Sequence, residues 1–81
     1  MMVCIRLFAR AKDLAGTDSL TIELPVGATV ADLRRQLAAD HPKLGGLLER
    51  SALAVNDEFA DDCLPVPAHA EIALLPPVSG G

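Results

Sequence analysis

The chain has 81 residues, 51% of them hydrophobic and 22% charged, which is enough for one small domain and excludes an extended disordered chain. Its net charge of −4 excludes the basic footprint that nucleic acids and anionic membrane surfaces require, and leaves a basic protein partner open. Arg6 and Arg10 interrupt the apolar start, no signal-peptide core follows, and no apolar run approaches the roughly 20 residues of a membrane span, so a cytoplasmic protein is expected.

Met2 to Ala9 alternates, with Val3, Ile5 and Leu7 on one side and Cys4, Arg6 and Phe8 on the other. This spacing predicts a first strand with the aliphatic trio inward. Arg10 to Asp18 reads as a loop with room for one helical turn, closing at Gly16-Thr17-Asp18. Ser19 to Leu24 alternates again, Leu20, Ile22 and Leu24 inward, so the two strands suggest an antiparallel hairpin. Pro25-Val26-Gly27 ends it. Thr29 fits a helix N-cap, and Asp32 three residues later resembles a capping box. Val30, Leu33, Leu37 and Ala38 follow at helical spacing, Arg34, Arg35 and Asp40 are expected to face solvent, and Pro42 stops the helix.

Lys43 to Arg50 is a shorter helical or irregular piece, loosened by Gly45-Gly46. Ala52 to Asn56 reads as a third strand, and Asn56-Asp57 suits a tight turn. Phe59 to His69 is mostly irregular, with room for one short edge strand, and Asp61-Asp62 reads as solvated turn chemistry. Glu71 to Leu75 is the last strand. The order predicts an α+β roll: a mixed sheet of about five strands with one main helix packed across it. Cys4 and Cys63 fit neither a metal spacing nor a disulfide framework and are expected as buried or half-buried reduced thiols. His41 and His69 have no nucleophile or second ligand spaced to either, and nothing points to a metal, a bound cofactor or an autonomous active site.

After Leu75 the pattern changes. Pro76 and Pro77 donate no backbone N–H and fix φ near about −65°, so residues 76–81 are expected as an extended tail leaving a domain of residues 1–75. Val78-Ser79-Gly80-Gly81 follows without charge or bulk. Terminal segments are often simply poorly ordered. A Gly-Gly ending also suits a carboxylate that must thread a narrow active site, because a backbone without Cβ enters otherwise forbidden angles. A carboxylate becomes electrophilic only when its oxygen is made a good leaving group, so such a tail implies an enzyme that adenylates it.

With Leu7-Phe8-Ala9, Leu14-Ala15-Gly16-Thr17, Thr29-Val30-Ala31-Asp32-Leu33, Ala54-Val55-Asn56 and Glu71-Ile72-Ala73-Leu74-Leu75-Pro76-Pro77-Val78-Ser79-Gly80-Gly81 in place, the chain resembles the small subunits of molybdopterin synthase, which are ubiquitin-like sulfur carriers of the β-grasp type. The resemblance runs over essentially the whole length. It departs at one turn, where the family pattern has Gly-Asp and this chain has His69-Ala70, so that turn is expected to be built differently. The resemblance implies that Gly81 is adenylated by an E1-like enzyme using ATP and magnesium and then converted to a thiocarboxylate, with Gly80 beside it. It implies that the tail enters a large subunit holding the catalytic lysines and the cyclic pyranopterin monophosphate substrate, in a heterotetramer.

The residues themselves add a docking surface. Phe8 and Leu75 are both out of phase with the inward positions of their strands, and neighbouring first and last strands would join them in one apolar patch beside the tail, which Phe59 could extend. By resemblance, Lys12 is available for a rim salt bridge, and Pro76, Pro77, Val78 and Ser79 accompany the glycines into the partner. Two other readings stand beside this one: a related carrier or modifier for thiamine, tRNA thiolation or protein conjugation, and a β-grasp interaction module whose tail does nothing.

Overall fold

The first strand, β1 (Met2–Leu7), keeps strict alternation, with Val3, Ile5 and Leu7 buried and the residues between them exposed. The computed structural model of the protein, which describes residues 1–75, pairs it antiparallel with β2 (Ser19–Glu23). Between them lies a helix, α1 (Ala9–Ala15), where the sequence suggested a loop with one turn at most. It ends on Gly16, whose φ of 73° is left-handed and whose N–H donates to the Lys12 carbonyl at 2.9 Å. A glycine enters that region without the Cβ clash another residue would suffer, which makes this a clean helix stop.

The main helix, α2 (Val30–Asp40), begins as its sequence predicts. Thr29 Oγ1 accepts from the Asp32 backbone N–H at 3.3 Å, while Asp32 Oδ2 accepts from the Thr29 N–H at 3.0 Å, a reciprocal capping box. These bonds, the Thr29 backbone donor first and then the Arg35 guanidinium, hold the Asp32 carboxyl below its ordinary value. Val30, Leu33 and Leu37 are fully buried against the sheet. Each such side chain contributes roughly 1.5–3 kcal/mol when taken from water. A 3-10 turn (Pro42–Leu44) and the four-residue α3 (Gly45–Leu48) then return the chain, adding Leu44, Leu47 and Leu48 to the core.

The remaining strands are β3 (Ala52–Val55), β4 (Glu58–Phe59) and β5 (Glu71–Leu75). Asn56 and Asp57, both at positive φ (51° and 68°), form the tight β3–β4 turn, and β4 is the short edge strand. The five strands run in the order β2-β1-β5-β3-β4, with β5 parallel to β1 and antiparallel to β3. One face of this mixed sheet is packed against α2. Among the described residues, no helix or loop covers the other.

Two expectations fail at the level of single side chains. Cys4 and Cys63 are exposed rather than buried, because Cys4 takes the open-face phase of β1 and Cys63 lies on the surface connection between β4 and β5. Arg34 does not face solvent. It is half-buried, donating from Nη1 to the Leu48 carbonyl and to the Ser51 carbonyl at 2.9 Å, with Nη2 at 3.4 Å from the Asp62 carboxylate. Asp62 is thus more than a solvated turn residue, since its carbonyl also accepts from Ala31 at 3.0 Å.

Candidate functional site

The open face of the sheet collects side chains from four strands in cross-strand rows. Pairing aligns Arg6 with Ala73, Ala73 with Ala54, and Ala54 with Phe59, so one row runs Arg6, Ala73, Ala54, Phe59 from β1 to β4. The next row carries Leu75 opposite Ala52, with Phe8 one residue past the Leu7–Leu74 pair on the neighbouring strand. Phe8 has extended backbone angles (φ −134°, ψ 155°) and so continues the outward phase of β1 before α1 turns away. Sequence phase gave the outward direction of Phe8 and Leu75, and the pairing of β1 with β5 puts them on adjacent strands.

Exposure marks this face as unusual. Phe59 is 80% exposed and Phe8 40%, although large aromatic groups are normally buried. Phe59 does not touch the Phe8 end of the patch. Three strand spacings, about 14 Å, separate β1 from β4, and the small Ala73, Ala54 and Ala52 lie between them. The face is a shallow apolar trough with an alanine floor. Phe59 forms one wall. Arg6 and Phe8 form the other, with the Arg6 guanidinium 5.9 Å from the Phe8 ring centre. Lys12 is exposed on α1, which follows directly from Phe8.

Sequence reasoning missed Arg6 and the three alanines. Their signal was present in the alternation, since Arg6 shares the phase of Phe8 and the alanines occupy the outward positions of β3 and β5. Nothing local could have revealed Arg34, whose acceptors lie 14 and 17 residues away. At the turn before β5, His69 takes φ of 61°, the left-handed region a glycine enters freely. The expectations for Pro76, Pro77, Val78, Ser79, Gly80 and Gly81 lie outside the described residues. Leu75, the last described position, sits on the central strand within the trough, between Phe8 and Ala52.

A five-stranded mixed sheet with β5 at its centre, parallel to β1, and one long helix across a single face is the ubiquitin-like β-grasp. Within that class, the ThiS family matches residues 5–81, and the chain belongs to it. It is 42% identical over 80 residues to the molybdopterin synthase sulfur carrier subunit of Dictyostelium discoideum, covering 95% of this chain and 93% of the relative. SAMP1, small archaeal modifier protein 1, from Haloferax volcanii has the same fold with a TM-score of 0.84 and 31% identity over the whole of both chains. A complex of subunits 1 and 2 of the molybdopterin-converting factor from Helicobacter pylori contains a chain that matches at TM-score 0.71 and 30% identity, again over the whole of both.

Proposed function

We propose that this chain is the sulfur carrier of a cytoplasmic molybdopterin synthase, with residues 1–75 as the docking domain and residues 76–81 as the tail that delivers sulfur. The observation that carries the reading is the 42% identity to a molybdopterin synthase sulfur carrier subunit across nearly the full length of both chains. The open trough supports it, because an apolar face beside the exit of the central strand is what a partner needs in order to hold the domain while the tail reaches inward. The Helicobacter pylori complex supports a two-subunit assembly of this kind.

The chemistry follows from a carboxylate. A Gly81 oxygen attacks the α-phosphate of ATP on an E1-like enzyme with magnesium, and pyrophosphate leaves. Sulfide-level sulfur then attacks the acyl-adenylate carbonyl, and AMP departs with the former carboxylate oxygen. The product is a thiocarboxylate. In the large subunit its sulfur passes to cyclic pyranopterin monophosphate, toward the dithiolene, and water restores the Gly81 carboxylate. Two small chains on a large-subunit dimer give a heterotetramer in which the lysines of the large chain do the catalysis.

Intact mass after incubation with an E1-like enzyme, ATP, magnesium and a sulfur donor tests this. The expected gain is one sulfur in exchange for one oxygen, and deleting Gly81 abolishes it while leaving the fold and large-subunit binding intact. An unchanged mass with an enzyme that activates a known carrier overturns the proposal. The likeness to SAMP1 favours a second reading, in which a lysine amine rather than sulfur attacks the same acyl-adenylate. That route gives whole-chain adducts on lysines instead of a sulfur-for-oxygen exchange.

A further inference from the structure

Arg34 lies on the helix side of the sheet, away from the trough, yet its guanidinium reaches both ends of the hairpin that carries the far wall. One end is Ser51, whose carbonyl accepts from Nη1 at 2.9 Å immediately before β3 begins. The same Nη1 donates to the Leu48 carbonyl at the end of α3. The other end is Asp62, three residues beyond Phe59, whose carboxylate lies 3.4 Å from Nη2 and whose carbonyl is bound to the first turn of α2. Between these anchors run Ala52, Ala54 and Phe59. We infer that Arg34 is a positioning residue for the docking face, fixing the β3–β4 hairpin so that Phe59 stands at a set height and angle above the alanine floor.

The two arms are unequal. The Asp62 carboxylate is exposed, and exposed ion pairs contribute little. The carbonyls sit beside the buried Ser51, where charge-assisted bonds are strong; the Leu48 carbonyl also accepts from the Ser51 N–H at 3.4 Å, so the Ser51 carbonyl is the acceptor that loss of Arg34 would orphan. β4 has only two residues and pairs with one neighbour, so its own ladder restrains Phe59 weakly. The orientation of Phe59 thus depends on how firmly the hairpin ends are held.

The inference rests on the proposed docking of a large subunit on this face, and a binding cycle separates the two ideas. Phe59→Ala should weaken large-subunit binding about tenfold or more. Arg34→Met should weaken it about fivefold when Phe59 is present and less than about twofold in the Phe59→Ala background, whereas combined with Phe8→Ala its effect should simply multiply. Asp62→Asn should change binding less than about twofold. Amide exchange in free Arg34→Met should quicken at residues 58–60 and stay unchanged in β1. If Phe59→Ala binds normally, the docking reading of this wall fails. If Phe59→Ala binds poorly but Arg34→Met costs the same with and without Phe59, the positioning role fails. Should Arg34→Met not fold, Arg34→Lys provides the same cycle, because its shorter side chain ends in one nitrogen and cannot hold the two carbonyls served by Nη1 and the Asp62 carboxylate served by Nη2 at once.

Discussion

His69 holds φ at 61° immediately before the buried Ala70 and the start of β5, a region that a residue with a Cβ enters at a cost. The Cβ clash there costs roughly 1–2 kcal/mol for an ordinary residue, and a glycine would escape it at an unfolded-state entropy cost of about 0.5–1 kcal/mol. The balance favours glycine. His69→Gly should therefore stabilise the protein by about 0.5–1 kcal/mol, read as a raised denaturant midpoint at unchanged slope. A lower midpoint would mean that the exposed ring makes a compensating contact. At this scale the sequence was informative where period alone decides direction, as for Val3, Ile5, Leu7 and Phe8. It was silent where direction depends on distant acceptors. Arg34 occupies a polar position in the helical pattern, and only the assembled fold brings the Leu48 and Ser51 carbonyls to it.

The capping box of α2 was legible because both of its members and their spacing are local. Its helix turns on two bonds at one end, so Thr29→Ala should cost about 1 kcal/mol. The Asp32 carboxyl is held below its ordinary value of 3.8 by the Thr29 N–H, then by Arg35. A depressed folded-state value gives stability that is present above the ordinary value and lost as pH falls below it. Acid titration of the wild type should thus lose part of its stability below about pH 4, and Asp32→Asn should show a smaller loss over the same range. Equal acid slopes for the two proteins would contradict this assignment. By contrast, α1 escaped notice because it buries only Ala11 among seven residues, too little apolar periodicity to stand out from a loop. Its clearest mark was Gly16, read as part of a turn and serving as a helix stop.

At the scale of the molecule, the alternating strands and one amphipathic helix left few ways to bury their faces, which is why the roll could be anticipated. The trough could not be. It needs the strand order β2-β1-β5-β3-β4, which brings residues 6, 73, 54 and 59 into one row. Under the proposed function, Phe8→Asp or Leu75→Asp should weaken large-subunit binding about tenfold or more, because a carboxylate would have to be desolvated at the centre of the contact. The thermal midpoint should move little for Phe8→Asp, as Phe8 is already partly exposed, and fall further for Leu75→Asp, as Leu75 is half-buried in the central strand. Unchanged affinity in a titration of both variants would remove this face from the interface.

The central place of β5 also has a mechanical consequence. Its ladder to β1 spans Cys4 to Leu7 on one side, and its ladder to β3 spans Ala52 to Val55 on the other. A pull entering the chain at Leu75 runs along the strand and loads both ladders in shear, so many bonds must yield together. The same pull along β2 or β4, at the sheet edges, would be opposed by a single ladder. A partner that draws residues beyond Leu75 into itself therefore tows the whole domain as a rigid load instead of peeling a strand from it.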